Sequence, residues 1–188
     1  MGWNDSIHIR IIQNHPQFIF LCVDNLIPDK SILISFVYGS PDRSKLKLFW
    51  EDLQSIAPHN FTPWLMMGDF NDILSPSDKR SHFTVGKRCN FFGNFVESCE
   101  LQDLGYSGPP FTWQRGGTLV RLDRALANDA WLTTFPQCLV HHLTRIKLDH
   151  RPLLLFTRPN LCTPKGRPFR FLAGWTKHND FSNFVKSK

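Results

Sequence analysis

The stretch that decides the fold is Trp64-Leu65-Met66-Met67-Gly68-Asp69-Phe70-Asn71. Four apolar residues run into a glycine, then an acid and an amide two positions apart. Side chains alternate faces along a strand, so residues spaced by two emerge on one side. Asp69 and Asn71 are therefore expected together at the end of a buried strand. An acid and an amide placed so can orient a water molecule or a phosphate oxygen. The same pair also fits a polar turn, so its meaning rests on what the rest of the chain brings beside it.

Working outward, Ile7–Ile11 alternates apolar and polar residues as a half-buried strand does. Phe18–Val23 is an apolar run bounded by Pro16 and Asp24-Asn25, and Ile32–Tyr38 is a third, closed by Gly39-Ser40-Pro41. Three strands joined by short polar turns predict an antiparallel meander. The period then turns helical: Leu46, Phe49, Trp50, Leu53, Ile56 and Ala57 form one face, and Pro58 stops it. A second helix is expected over 87–100, with Phe91, Phe92, Phe95, Val96 and Cys99 as a core stripe.

Beyond it, short strands lead to a hairpin at Gly116-Gly117 that returns through Val120–Leu126, and Asn128 caps a short helix containing Trp131. Leu139–Leu143 and Leu153–Phe156 read as two further strands. After Pro159 the composition shifts, with Pro164-Lys165-Gly166-Arg167-Pro168 as a basic linker. The expected domain is therefore 1–158, and 159–188 is a linker and the start of a helical segment.

Composition narrows the classes. At 188 residues, with 41% hydrophobic and 20% charged, the chain has the balance of a globular domain rather than a disordered one. No apolar run reaches the roughly 20 residues that a bilayer crossing needs. Met1–Asp5 lacks a basic region followed by an apolar one, so no signal peptide is expected. Cys22, Cys89, Cys99, Cys138 and Cys162 are scattered, with no C-x-x-C. They suit reduced thiols of an intracellular protein, not a zinc site or a disulfide framework. The net charge of +6 suits a polyanionic partner.

Four polar clusters fall at or near strand ends: Tyr38, Asp69 with Asn71, Asp123, and Asp149 with His150. Carboxylate and amide oxygens are hard ligands that suit Mg²⁺ better than zinc. A His beside an acid can serve as general base or hydrogen-bond donor. Together they suggest metal-assisted attack of water on a phosphodiester. Each has a plainer alternative. Asp123, between Arg121 and Arg124, reads by itself as a salt-bridged surface acid. Asp149-His150 fits an ordinary turn, Tyr38 a core residue with a satisfied hydroxyl, and His141 and His142 strand residues.

Their order carries more weight. The series Val37-Tyr38-Gly39, Gly68-Asp69-Phe70-Asn71, Phe111-Thr112-Trp113, Arg121-Leu122-Asp123-Arg124 and Asp149-His150 resembles the endonuclease/exonuclease/phosphatase family. With Pro63-Trp64, Asp103–Pro109, Leu126-Ala127-Asn128, Trp131 and Arg167-Pro168-Phe169-Arg170-Phe171, it resembles more narrowly the endonuclease region of plant non-LTR (LINE-type) retrotransposon polyproteins.

That resemblance implies an α/β fold of the DNase I-like kind. This is a four-layer sandwich of two mixed, mostly antiparallel sheets flanked by helices. It implies hydrolysis dependent on Mg²⁺, with Mn²⁺ as a substitute, and DNA as the partner. It further implies a nuclear place of action and a reverse transcriptase C-terminal to this region in the parent polyprotein. Carried over by position, Asp69 orients or activates the water, Asn71 holds water or phosphate, and His150 contacts the scissile phosphate. Asp123 pairs with His150, Tyr38 binds phosphate through its hydroxyl, and Asp149 lies on the metal side.

Two departures bear on activity. The family's first strand carries an Asn, followed later by a Glu that is the principal metal ligand, and neither has a match. Asn4 falls in the segment just before the Tyr38 strand instead. The chain is therefore expected to lack the fold's first strands, with part of one sheet and that Glu. Leu148 stands where relatives carry Ser. Three functions compete: a metal-dependent DNA endonuclease weakened or silenced by truncation, a non-catalytic retrotransposon remnant, and a small-molecule phosphatase on the same fold.

Overall fold

The meander forms as its apolar alternation demands. In a computed structural model, which describes residues 7–28, 30–58, 61–82, 86, 87, 89–145 and 149–159, β1 (His8–His15), β2 (Phe18–Ile27) and β3 (Lys30–Tyr38) pair antiparallel in sequence. Helix α1 (Leu46–Ser55) then crosses over, and β4 (Trp64–Asp69) returns parallel to β3. There follow β5 (Lys79–Arg80), α2 (Asn90–Ser98), β6 (Gln102–Asp103), β7 (Trp113–Arg115), β8 (Thr118–Val120), β9 (Asp123–Ala127), α3 (Asp129–Thr134), β10 (Leu139–His142) and β11 (Leu153–Phe156). The main sheet runs β1-β2-β3-β4-β9-β6; a three-stranded sheet runs β5-β8-β7, and β10 pairs with β11 alone.

Strand β4 sits at the centre and reads out both cores. Trp64 and Met66 point to the helical side, where Phe49, Trp50 and Leu53 of α1 meet Phe92 and Phe95 of α2. Trp50 and Phe92 stack at 4.6 Å, and Phe70 stacks on Phe92 at 5.1 Å. Leu65 and Met67 point the other way, to Ala125 and Ala127 of β9, Trp131 of α3 and Val140 of β10. The indole of Trp64 donates to the buried Ser35 hydroxyl at 3.0 Å, which lets a polar tip end in an apolar layer. Gly68 opposes Val37 at φ 139°, where a Cβ would lie 2.1 Å from the Val37 carbonyl oxygen. Only glycine lets the two strands approach there.

The second helix differs slightly from its predicted stripe. Phe92 and Phe95 are buried, whereas Phe91 is exposed at the helix start. Asn128 caps α3 through a bond from the Trp131 amide and also accepts from the Trp64 amide, tying α3 to the start of β4.

The described residues thus form a helical layer (α1, α2), the six-stranded sheet, and β10–β11 on its far face; a helical layer outside β10–β11 is not among them. The family of folds expected from the sequence is met. On the β10–β11 side, Ile11, Leu21, Ile34 and Leu65 share a face through successive register pairs. Its outer part stays open, with Ile11 63% and Phe36 46% exposed. Among the described residues no helix is long and apolar enough to cross a membrane. The expected linker and helical segment after Pro159, and Asn4 and Leu148, lie outside the described residues.

Candidate active site

Two acids end adjacent strands. Asp69 is the last residue of β4 and Asp123 the first of β9, and they are direct antiparallel partners. Both are buried, at 7% and 8% exposure. The rows Leu65–Ala127 and Met67–Ala125 precede them on the same face, so an apolar floor delivers both carboxylates to one rim. Tyr38, the last residue of β3, pairs with Asp69 on its other side and is 64% exposed. It is no core residue.

Asn71 meets Asp69, although not as a strand neighbour. The strand stops at Asp69, and Asn71 takes the left-handed conformation, φ 50°, which Asn tolerates better than most residues. Its backbone N–H donates to Asp69 Oδ1 at 2.8 Å and its Nδ2 to Asp69 Oδ2 at 2.9 Å. The same Nδ2 donates to the Gly39 carbonyl at 2.7 Å, which fastens the end of β4 to the loop after β3.

His150 closes the group. Its Nδ1 lies 2.9 Å from Asp123 Oδ2, and its Nε2 lies 3.7 Å from Asp69 Oδ2. An ionised carboxylate only accepts, so Nδ1 carries the hydrogen, and Nε2 is turned toward Asp69. Burial first, and the neighbouring Asp123 charge second, push the Asp69 carboxyl up to about 6, against the opposing pull of Asn71 and His150. Asp69, Asp123 and His150 present ligand atoms all within 4.8 Å of one another.

Asp149 is placed differently. Its carboxylate is exposed and accepts from the Trp113 indole at 3.2 Å, so it stands beside the three-residue group rather than within it. Its own backbone amide and the Trp113 indole hold its carboxyl below the ordinary value.

The surface ion-pair alternative for Asp123 does not hold, because its flanking arginines are engaged elsewhere. Arg124 Nη1 donates to Asp103 Oδ2 at 2.9 Å and Nη2 to Asp78 Oδ2 at 3.0 Å. Arg121 Nη2 donates to Asp103 Oδ1 at 2.7 Å. Alternation turns Arg124 to the helical face, over the Phe92 ring, and leaves Asp123 to His150. Burial opposes ionisation of Asp103, but the two guanidinium groups outweigh it and hold the carboxyl below its ordinary value. Sequence reasoning misses Asp78, and it takes Asp103 only as part of the Asp103–Pro109 run, without its arginine partners. Their signal is present only as an even balance with the two arginines, which is invisible until the chain folds. Thr112, the centre of the Phe111-Thr112-Trp113 motif, gains a role here: its Oγ1 accepts the Leu122 and Asp123 amides, both at 3.0 Å. His142 is a buried strand residue stacked on Tyr106, and His141 meets the Ser107 hydroxyl.

Buried paired carboxylates, a His oriented by one of them, and hard oxygens at an open rim suit hydrolysis of a phosphoester with a divalent cation. The comparisons point the same way. No curated protein matches the chain. Among solved structures it is similar to the endonuclease domain of TRAS1, a telomere-specific non-LTR retrotransposon, at TM-score 0.61 and 13% identity over 81% of this chain and 68% of that one. It is similar to beta toxin of Staphylococcus aureus at TM-score 0.50 and 13% identity, over 76% of this chain and 57% of that one. A conserved protein of unknown function from Enterococcus faecalis gives 0.50 and 15%, over 82% and 69%. These likenesses concern the fold. The model of the Endonuclease/Exonuclease/phosphatase family matches residues 7–164, and with most of the chain so covered, it belongs to that family.

Proposed function

We propose that the chain is a divalent-metal-dependent phosphodiesterase acting on DNA, the endonuclease of a retrotransposon-derived protein. The observation that carries this is the group of Asp69, Asp123 and His150, with Asp69 raised to about 6 and still ionised at pH 7. A carboxylate so poised takes a proton from water more readily than an ordinary surface acid. Asn71 fixes both its oxygens. His150, oriented by Asp123 through Nδ1–H, can accept a proton at Nε2 and, as the imidazolium, donate from it to a phosphate at the rim, and Tyr38 presents an exposed hydroxyl at the end of the neighbouring strand.

A divalent cation fits the donor set: burial first, and repulsion from Asp123 second, weigh against the Asp69 charge, positive charge offsets both, and each Asp69 oxygen has accepting capacity beyond its single Asn71 bond. Bound by Asp69 and Asp123 and completed by water, Mg²⁺ or Mn²⁺ would supply charge to the phosphate oxygens. The surplus of +6 supports a DNA partner. In this reading the protein acts in the nucleus, and a reverse transcriptase belongs to the same parent polypeptide.

Among the described residues, the group contains only two acids, and no third carboxylate joins them. That favours weak turnover in this chain, and its limit is the remnant reading, in which nucleic acid is bound but not cut. Nicking of supercoiled plasmid with Mg²⁺, comparing the chain with Asp69→Ala and His150→Ala, tests it. Slow nicking lost in both variants is expected. No nicking by the parent chain leaves the remnant, and release of phosphate from small esters with intact plasmid favours a phosphatase.

A further inference from the structure

The two halves of the acid–His pair come from segments far apart in sequence, and neither is held by its own strand alone. β6 runs alongside β9 only at Leu126 and Ala127, so the first residues of β9 have no strand on that side. His150 lies on the turn before β11, ahead of that strand's first paired residue, Leu153. One short segment, Phe111–Gln114, fills both gaps.

Thr112 is fully buried, and its Oγ1 accepts the amides of Leu122 and Asp123. Its carbonyl accepts the amide of Arg151, the residue after His150, at 2.8 Å. Trp113 forms an antiparallel bridge with His150, and its indole donates to the Asp149 carboxylate. The Gln114 amide donates to the Asp149 carbonyl at 3.1 Å, and Arg151 Nε donates to the Phe111 carbonyl at 3.2 Å.

We propose that Phe111–Gln114 is the positioning element of this site, with Thr112 setting Asp123 and Trp113 setting the Asp149–His150 turn. The inference deepens the proposed hydrolase and rests on that reading. A buried N–H left without its acceptor makes the backbone shift to find one. Because Asp123 holds His150 at 2.9 Å, a shift of either partner by more than about half an ångström takes their bond out of range. Asp149 is here a residue that anchors the turn through an indole, not one that touches the reacting group.

The experiment uses the full chain with Thr112→Val, Thr112→Ser and Trp113→Phe. Valine keeps the shape of threonine and removes the acceptor, serine restores it, and phenylalanine keeps a ring without the N–H. Two quantities are read: plasmid nicking, resolved into kcat and KM, and the ¹⁵N signals of the His150 imidazole without metal. Removing an orienting partner of this kind costs about 10- to 100-fold in activity. Thr112→Val and Trp113→Phe are expected to lose about that much in kcat at unchanged KM, with His150 moving from one Nδ1–H tautomer to averaged signals. Thr112→Ser should keep the parent's signals and stay within about 3-fold of its kcat. If Thr112→Val does not fold, Trp113→Phe, at a partly exposed site, decides by itself. Folded variants that keep the parent's His150 signals overturn the proposal, as does a Trp113→Phe variant with raised KM and unchanged kcat. A parent chain that does not nick DNA refutes the proposed function, while the imidazole signals still judge the positioning.

Discussion

Asp69→Asn should stabilise this protein while removing its activity. Asp69 is lifted from 3.8 to about 6, chiefly by burial and then by Asp123. A carboxyl whose folded value exceeds its unfolded one weakens the fold as pH rises. The stability tied to it is full below about 3.8 and is lost as pH climbs through about 6. That displacement corresponds to about 3 kcal/mol of destabilisation at neutral pH. Asparagine matches the shape of the protonated acid and does not titrate; its one carbonyl keeps the bond from the Asn71 backbone, while its NH₂ cannot accept the bond from Asn71 Nδ2, at a cost of about 1 kcal/mol. The variant should therefore gain about 1–2 kcal/mol at pH 7.5, a rise of roughly 2–8 °C in Tm for a chain of this size, and lose about 1 kcal/mol at pH 3.5. Urea unfolding with EDTA at both pH values measures it. A variant no more stable than the parent at pH 7.5, or one whose gain is the same at both pH values, would refute the reasoning. Adding Mg²⁺ should then stabilise the parent but not the variant, because only the parent keeps the carboxylate pair.

Three further changes test other parts of the structure. Gly68→Ala forces a Cβ to 2.1 Å from the Val37 carbonyl at an unfavourable φ, so a loss above about 3 kcal/mol is expected in denaturant unfolding. Arg124→Met leaves Asp78 and Asp103 short of a buried partner, and breaking such a pair costs about 3–5 kcal/mol by the same measurement. Phe36→Lys, on the open part of the main sheet, should change stability by less than about 0.5 kcal/mol yet raise the concentration at which light scattering sets in.

The main elements were legible because their periods are strong. The three N-terminal strands, both amphipathic helices and β4 appear within a few residues of their sequence positions. Their apolar faces leave the chain little other choice. Phe91 shows the limit: it fits the helical stripe, but at the first turn it has no neighbour to bury it. Asp69 and Asn71 do meet, as their spacing suggested, but through a turn that follows the strand and not through alternation along it. Asp123 was the hardest to read. Local sequence places it between two arginines, and its true partner is decided by which face each side chain takes in a five-residue strand and by two acids from other segments. Partner choice of that kind is a tertiary property.

The register of Asp69 with Asp123 has a consequence for how the chain assembles and breathes. Both acids belong to strands of the main sheet, so pairing of β4 with β9 sets two buried carboxylates side by side before His150 is needed. The imidazole comes from a later turn, 27 residues beyond Asp123, on the smaller β10–β11 layer. A small outlying layer is the kind of unit that opens by itself while a central sheet stays closed. In hydrogen exchange, amides of β11 should therefore exchange before those of β4. An opening that also frees the Trp113 bridge and the Arg151–Thr112 bond withdraws His150 and leaves the acids facing each other. The site would then go dark through brief detachment of its last-arriving piece, long before the protein unfolds.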